Sequence, residues 1–332
     1  MENRKPFKTF DEQIDILKGR GLHIADADRD NAKRLLMCEG YYAVVNGYKD
    51  IFIDEVATRA AGDDRYRDGT TFDNLSLMFS FDRILRRLTL ATLISAETTI
   101  RTAVVYSFCD KHRAPDAYLN AACYCGRNNY HHPAYYDENL TKMLGILRDA
   151  HGNAWDQDCI AHYLDNHGHV PLWVLVNTLT FGNVSHFYSL QQRSAMNETC
   201  RIISEGQRLP RIRPNRLRTA TATLVDFRNI CAHDDRLYCA RTGRRHDRKF
   251  SDMLLALEVV TGDEDMARYV YDVSAAVALF DALPNVREGV IDRMGVSLED
   301  GIVVPNGGWR RDHTRLVTAM REGHDASGGF RG

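Results

Sequence analysis

Apolar residues recur three and four positions apart through most of the 332-residue chain. This spacing places them on one face of an α-helix, which favours helices over strands. Only 8 prolines are available to interrupt the pattern. The hydrophobic pattern therefore predicts an all-α protein.

The predicted helices extend over the whole chain. Two short N-terminal helices are joined at Gly19–Gly21, and a long amphipathic helix runs from about Phe72 to Phe108. A later helix begins at Pro214 and continues toward Ala232. Further helices are predicted at Asn139–His151, Ala154–Asn166, Leu172–Leu179, Val184–Leu190, Ser251–Val260, Asp263–Leu283 and Val286–Met294.

Two segments lack a helical period. The stretch Ala60–Thr71 is polar and contains two glycines, so it is predicted to be a linker, and Pro115–Tyr136 is predicted to be an irregular insertion. These segments divide the chain into a small N-terminal helical region, a central helical domain with the insertion, a C-terminal helical extension and a flexible tail. The predicted bounds are 1–60, 61–240 with the insertion near 115–136, 241–324 and 325–332.

The cellular compartment is predicted from the N-terminus and the cysteines. The chain opens without the apolar core of a signal peptide, so its 8 cysteines are expected to be reduced thiols in the cytoplasm. No window approaches the roughly 18 apolar residues that a membrane span needs. We therefore predict a cytoplasmic protein that does not enter a membrane.

The total charge is nearly balanced, but its distribution is uneven. The 43 basic and 45 acidic residues give a net charge of −2, which argues against a global polycation. Of the basic residues, 35 are arginine, whose planar fork fits phosphate, although codon usage in a GC-rich genome also favours arginine. Between Arg201 and Lys249 there are 13 basic and 5 acidic residues. We predict RNA contacts in this span, the alternative being a solvated face with local ion pairs. The predicted RNA-binding residues are Arg208, Arg211, Arg213, Arg216, Arg218, Arg236, Arg241, Arg244, Arg245 and Lys249.

The strongest candidate chemistry lies at the predicted end of the helix that begins at Pro214. Asn229 and His233 are four residues apart and share a helical face, and the long stem of Arg228, about 100° round the helix, can fold over the same surface. An imidazole can move a proton near neutral pH, and a fixed cation can stabilise a developing negative charge on phosphate. This combination suits RNA cleavage without a metal.

In such a reaction the ribose 2′-hydroxyl attacks the adjacent phosphorus, and the leaving 5′-oxygen gains a proton. The product ends in a 2′,3′-cyclic phosphate, and DNA cannot react because it lacks the attacking hydroxyl. Since one His cannot easily act as both base and acid, two copies of the motif in a homodimer would complete the site. The alternative is an ordinary helix end, in which Arg228 pairs with Asp226 or Asp234 and His233 interacts with the helix dipole.

Four ordered blocks of residues, with a weaker fifth, extend from about residue 10 to about residue 310. The first comprises Gly21-Leu22, Ala32, Leu35, Gly40-Tyr41-Tyr42, Gly47-Tyr48 and Phe52. The second comprises Phe81-Asp82-Arg83-Ile84-Leu85-Arg86, Glu97 and Arg101. The third comprises Pro171-Leu172-Trp173, Leu179-Thr180-Phe181-Gly182 and Ser185. The fourth comprises Arg228-Asn229, Ala232-His233 and Arg236-Leu237, and the fifth comprises Met294-Gly295 and Trp309.

Together these blocks resemble the Abi-like abortive-infection proteins of the AbiD/AbiF type, whose catalytic part belongs to the HEPN ribonuclease superfamily. The chain departs from the pattern near its end, where Gly295-Val296-Ser297 and a longer spacer replace a Gly-Phe-Pro run. The resemblance implies a HEPN-type helical bundle and a metal-independent endoribonuclease that acts against phage infection. It also implies that Arg228 and His233 from two protomers line one cleft, that Asn229 orients a phosphate or the His, and that a regulatory noncoding RNA can be bound.

Other candidate residues have weaker patterns. Glu97 and Arg101 are four apart on the long helix and either form a structural pair or support the cleft, and Asp82 is a third supporting residue. Cys123, Cys125, His131 and His132 resemble a zinc site but lack a second pair at the usual spacing, so we predict neither metal nor cofactor. The tyrosines of the insertion could stack on unpaired bases. The main rival to an enzyme is a non-catalytic RNA-binding module that scaffolds a structured noncoding RNA.

Overall fold

The computed structural model describes residues 6–152 and 158–328, and these are mostly helical, which confirms the all-α prediction. The first helices are α1 (Phe10–Gly19), α2 (Arg29–Glu39), α3 (Glu55–Ala61), α4 (Phe72–Lys111), α5 (Tyr136–Gly152), α6 (Asp158–His167) and α7 (Leu172–Leu175). They are followed by α8 (Phe181–Leu190), α9 (Arg193–Gly206), α10 (Pro214–Ala232), α11 (Phe250–Leu257), α12 (Asp263–Val277), α13 (Pro284–Met294) and α14 (His313–Gly328). A hairpin of β1 (Val296–Glu299) and β2 (Ile302–Pro305) lies between α13 and α14.

Helix α4 is the central element of the fold. Its 40 residues contain neither Gly nor Pro, and its N-terminus is closed by a capping box between Thr71 and Asn74. It packs against α7, α8, α9, α10 and α12. Because so many helices surround it, even the polar side chains of Asp82, Arg86 and Glu97 are buried.

Among the described residues, α4 is the one helix that is long and apolar enough to cross a membrane by length and composition alone. The mean hydropathy of its qualifying 18-residue window is 1.2, and 44% of that window is buried within the protein. The core helix of a soluble protein passes the same test, so this finding is weak evidence for a membrane span.

Helix α10 has the bounds predicted from the sequence. Pro214 occupies its first turn, where the missing N–H would have no helical partner in any case. Its buried side, which includes Leu217, Leu224 and Phe227, packs against α4, α8 and α11. The opposite side remains open to solvent at Asn229.

The N-terminal region and the insertion are built from short irregular turns. A π-helical turn at Tyr42–Asn46 follows Gly40, whose φ of 83° ends α2. Between Asp116 and Tyr135 the insertion contains four 3₁₀ turns, at Ala117–Leu119, Ala121–Cys123, Arg127–Asn129 and Pro133–Tyr135. The backbone N–H of Cys125 donates to the carbonyl of Leu190, which ties the insertion to the end of α8.

Several elements differ from the sequence prediction. Helices α9 and α14 and the antiparallel β1–β2 hairpin were not predicted, and the predicted helix Asp263–Leu283 ends at Val277 before a 3₁₀ turn. Residues 325–328, assigned to a flexible tail, belong to α14, whereas 329–332 lie outside the described residues. Residues 154–157, at the start of a predicted helix, also lie outside them.

The apolar core is continuous through the described residues. One cluster of buried side chains includes Leu17 of the N-terminal region, Phe81 of α4 and Val273 of α12. The three regions delimited at residues 60 and 240 therefore share one core, and those boundaries remain predictions.

Candidate active site

The solvent-facing end of α10 carries two of the three predicted catalytic residues. The backbone N–H of His233 donates to the carbonyl of Asn229 at 3.0 Å, so helical geometry extends through this pair. Residues four apart lie on the same side of a helix, and both side chains are exposed. Asp234 then adopts a left-handed φ of 59° and ends the helix. The imidazole of His233 is therefore presented to solvent at a fixed helix terminus.

A buried clamp holds the segment that follows His233. We define the clamp as Tyr48, Asp82 and Arg86. The Asp82 carboxyl is 0% exposed and accepts hydrogen bonds from the backbone N–H of Leu237 at 3.2 Å and of Tyr238 at 2.8 Å. The Tyr48 hydroxyl donates to the same carboxyl at 2.8 Å, and Arg86 donates to it as well. Helix α4 thus fixes the backbone four and five residues beyond the imidazole.

Arg86 connects the clamp to the residue next to His233. Its guanidinium is buried against Asp82, and its Nη2 lies 2.7 Å from Oδ1 of Asp234. Its Nη1 also donates to the carbonyl of Asp235 at 3.5 Å. Burial raises the pKa of Asp82, while Arg86 and the donated N–H groups favour its charged form. Removal of any clamp residue therefore leaves a buried polar group without one of its hydrogen-bond partners.

Arg228 contacts α4 instead of an acidic residue close in sequence. Its Nε lies 3.4 Å from Oε2 of Glu97, and the other Glu97 oxygen accepts a hydrogen bond from Arg101. Asp226 pairs with Arg248, and Asp234 pairs with Arg86. The alternative in which Arg228 pairs with Asp226 or Asp234 is therefore wrong. The Glu97 carboxylate, almost completely buried, links the predicted structural pair to the candidate catalytic arginine.

Arg228 and His233 do not meet within one chain. Five residues along a helix correspond to a rotation of about 140°, and no hydrogen bond or ion pair joins the two side chains in the described part of the chain. The stem of Arg228 therefore does not fold over the surface of Asn229 and His233, because its guanidinium is held at Glu97. About one third of the Arg228 side chain is still exposed.

The predicted RNA-binding residues fall into three groups. Three of them contact backbone carbonyls: Arg236 at Gly47, Arg241 at Cys239, Ala240 and Arg293, and Lys249 at Asp292. Arg218 is half-buried on α10, and burial lowers its pKa. The others are exposed, and their side chains form no hydrogen bond or ion pair with any described residue: Arg208, Arg211, Arg213, Arg216, Arg244 and Arg245.

Part of the basic span meets the insertion across a groove of about 1190 Å³. Arg218, Arg244 and Arg245 line this groove together with the tyrosines Tyr130 and Tyr135, of which Tyr130 is only 6% exposed. The structure thus brings together two features that are about a hundred residues apart in sequence. The remaining predicted basic residues do not line this groove.

Two clamp residues were missing from the residues predicted to form or support the site. Arg86 could have been found, because it follows Asp82 by four residues on a helix, the spacing of an ion pair. Tyr48 lies 34 residues from Asp82, and no local pattern connects the two. The described residues contain no group of three or more His, Cys, Asp or Glu side chains that could hold a metal ion, including the region of Cys123, Cys125, His131 and His132.

Comparison with protein families identifies a match that includes the candidate site. A family model described as Abi-like protein matches residues 34–239, which is more than half of the chain. The matched segment contains the whole clamp together with Glu97, Arg101, Arg228 and His233. No curated protein and no solved structure matches the chain.

Proposed function

The chain belongs to the family of Abi-like proteins, and from that premise we propose that it is a metal-independent endoribonuclease of abortive-infection defence. The observation that carries the proposal is the exposed face of Asn229 and His233 beside the buried clamp. An exposed imidazole held at a fixed position is suited to proton transfer. The family suggests the defence role, and the ribonuclease chemistry is inferred from the residues and from the HEPN resemblance.

His233 is proposed to act on the protons of the reaction. As a base it accepts the proton of the ribose 2′-hydroxyl while the 2′-oxygen forms a bond to phosphorus. The bond between phosphorus and the 5′-oxygen breaks, and an imidazolium donates the proton that the leaving oxygen requires. The guanidinium of Arg228 stabilises the charge on the phosphoryl oxygens, and Asn229 orients the phosphate. The products carry a 2′,3′-cyclic phosphate and a 5′-hydroxyl.

A homodimer is proposed to complete the site. Within one chain Arg228 faces Glu97 and His233 faces solvent, so a second copy is needed to supply a base and an acid in one cleft. An apolar pocket of about 730 Å³ lies between α4 and α7, with the exposed rings of Tyr106 and Trp173 at its surface. Arg101, which contacts Glu97, also lines this pocket. The exposed apolar surface beside the site supports association there.

The catalytic assignment predicts that His233→Ala and Arg228→Ala each lower the cleavage rate by at least about a hundredfold. His167→Ala and Arg59→Ala, at exposed positions on α6 and α3, are the matched controls and should cleave like the original chain. Cleavage is measured on labelled RNA with detection of cyclic-phosphate ends, and thermal unfolding verifies that each variant is folded. Activity should persist in excess chelator. Cleavage that survives both substitutions would remove these residues from the mechanism.

The same assay tests the homodimer when His233→Ala chains are mixed with original chains and allowed to exchange. If both imidazoles of a dimer are required, an equal mixture retains about a quarter of the activity, since only dimers of two original chains cleave. If each chain acts alone, the mixture retains about half. The second result would contradict a composite site.

A second candidate is a non-catalytic RNA-binding module that scaffolds a noncoding RNA. The groove beside α10 favours it, because RNA binding there requires no proton transfer. Sequencing the RNA that copurifies with the chain separates the two functions. The enzyme is expected to yield cyclic-phosphate ends that disappear in His233→Ala, whereas the scaffold yields one protected RNA with unaltered ends.

A further inference from the structure

The groove beside α10 is lined by two chemically different sets of residues, which we call the aromatic wall and the basic wall. The aromatic wall comes from the insertion and consists of Tyr130, His131, His132 and Tyr135. The basic wall consists of Arg218 on α10 and of Arg244, Arg245 and Arg248 in the loop before α11. Ser185 and Ser189 of α8 also line the groove and add hydroxyl groups. A volume of about 1190 Å³ exceeds the roughly 300–1,000 Å³ of a typical small-molecule site, so the groove suits a polymer segment.

We infer that this groove binds an unpaired segment of RNA and leads it to His233. The inference that the groove binds RNA depends on the groove alone. The inference that the strand is led to His233 rests on the proposed function. Unpaired bases expose flat faces that stack on aromatic side chains, whereas the faces are covered in a duplex. The phosphates of the same strand attract guanidinium groups. A groove lined by both aromatic rings and arginines matches both features of a single strand.

The aromatic wall is a row of neighbouring rings. The ring centroids of Tyr130 and His131 are 4.3 Å apart, and those of His131 and His132 are 4.6 Å apart. Tyr135 continues the wall with 57% of its surface exposed. In addition, Nδ1 of His131 is buried and has no hydrogen-bond partner among the described residues. A buried polar atom without a partner is costly, so a ligand that supplies one would be favoured.

The basic wall has cations available for a ligand. The side chains of Arg244 and Arg245 are exposed and have no partner in the described part of the chain. Asp226 of the groove pairs with Arg248, whereas Asp252 accepts the backbone N–H of Lys249 and keeps its charge. Glu138 and Asp247 are the other acidic residues that line it. The lining thus has four arginines and four acidic residues and no net charge, so a phosphate is bound through direct contacts with the free guanidinium groups of Arg244 and Arg245.

The groove is aligned with the candidate active site. Arg218, Ala222 and Val225 of α10 line it, and their spacing of four and three residues defines one helical face. Asn229 and His233 continue the same face at further steps of four. From Arg218 to His233 the helix rises about 22 Å, whereas the phosphates of one duplex strand recur about every 3.4 Å along the duplex axis. A short strand, rather than one nucleotide, can therefore follow α10 to the imidazole.

The test measures RNA binding in His233→Ala chains, so that cleavage cannot consume the probe. The probe is a fluorescent, unstructured RNA of about 12 nucleotides, compared with a duplex of the same sequence. Tyr135→Ala is expected to weaken binding of the single strand by at least about fivefold, the lower limit for stacking on one ring. Arg244→Gln with Arg245→Gln should weaken it by about tenfold and reduce the salt slope by about 1.4, because two phosphate contacts are lost.

Matched controls are Tyr42→Ala and the double variant Arg59→Gln with Arg148→Gln, all at exposed positions that do not line the groove. They should bind like the parent chain. Groove variants that bind the single strand normally would overturn the inference, as would equal binding of the duplex with no effect of Tyr135→Ala. If the groove variants lose binding while the original chain never cleaves RNA, the groove stands and the proposed ribonuclease fails.

Discussion

The groove lies along α10 and the clamp holds the segment that follows α10, yet their polar groups are arranged in opposite ways. In the clamp, Asp82 and Arg86 are 0% and 4% exposed, and Asp82 accepts hydrogen bonds from two backbone N–H groups and the Tyr48 hydroxyl as well as from Arg86. In the groove, Arg244 and Arg245 are exposed and form no ion pair with any residue from 6 to 152 or from 158 to 328. The polar groups of the clamp are partnered within the chain, whereas these two arginines of the groove are available to a ligand.

The difference reflects two tasks: the clamp fixes the position of the backbone after His233, and the groove is proposed to bind a flexible strand. A buried, fully partnered network allows one arrangement, because any other leaves a desolvated polar group without a partner. Exposed arginines can adjust to a flexible ligand and cost little free energy when they are free. Substitutions in the clamp should therefore change stability and the position of His233, whereas substitutions of the exposed groove arginines should change RNA affinity and leave stability nearly unchanged.

The largest expected effect is that of Asp82→Ala. Removing the carboxyl leaves Arg86 and the N–H groups of Leu237 and Tyr238 buried without their acceptor. The free energy of unfolding is expected to fall by about 3–5 kcal/mol, which chemical denaturation measures. Asp73→Ala, an exposed position on the same helix, should cost less than about 1 kcal/mol.

If Asp82→Ala does not fold, Asp82→Asn gives the same comparison with a smaller change in shape. At temperatures where it remains folded, it should lose cleavage but bind single-stranded RNA within about twofold of the parent chain. A variant as stable as Asp73→Ala would show that the clamp does not hold the segment after His233.

The helices show how far local sequence determines this fold. The bounds of α10 and the start of α4 agree with the hydrophobic period, because Pro214 and Thr71 provide helix start signals within a few residues. The β1–β2 hairpin could not be identified in this way. It has four residues in each strand, and its burial depends on packing against α11 and α12.

For the candidate site, the sequence predicted where the candidate residues lie better than it predicted which residues they contact. Arg228, Asn229 and His233 lie at the end of α10 as predicted, but the contact between Arg228 and Glu97 joins residues 131 positions apart. The basic span was treated as one surface, although Arg241 and Arg244 have different environments three residues apart. Charge counts cannot distinguish an arginine that holds backbone carbonyls from one that is free, because tertiary contacts make the difference.

The second prediction compares those two arginines. Arg241 donates to the carbonyls of Cys239, Ala240 and Arg293, so Arg241→Gln should lower the free energy of unfolding by about 1–2 kcal/mol. It should leave RNA affinity unchanged. Arg244→Gln should do the reverse, with a several-fold loss of affinity and a stability change within about 0.5 kcal/mol. Chemical denaturation measures the stability change, and anisotropy titrations measure RNA affinity. Equal effects of the two variants on RNA affinity would contradict the distinction between Arg241 and Arg244.

The smallest expected effect concerns the pH dependence of the groove. The pKa of His131 is lowered to about 4, first by burial and then by the charges of Arg218, His132, His186 and Arg244. The folded, RNA-free chain thus keeps His131 neutral at pH values where the unfolded chain, with an ordinary pKa, is protonated. Stability from this group is present above the unfolded pKa of about 6.5 and is lost as pH falls from there toward about 4.

A phosphate in the groove opposes the lowering of the His131 pKa, because an anion favours the imidazolium. The pKa of His131 is therefore higher in the complex than in the RNA-free chain. RNA binding should then take up a proton and strengthen a few-fold between pH 7 and pH 5.5, measured by anisotropy at constant ionic strength. In His131→Gln the increase should shrink, while affinity at pH 7 changes less than in Tyr135→Ala. An unaltered pH dependence in His131→Gln would show that the strand does not reach the aromatic wall at this residue. Arg241 does not line the groove, so Arg241→Gln should retain the pH dependence of the parent chain.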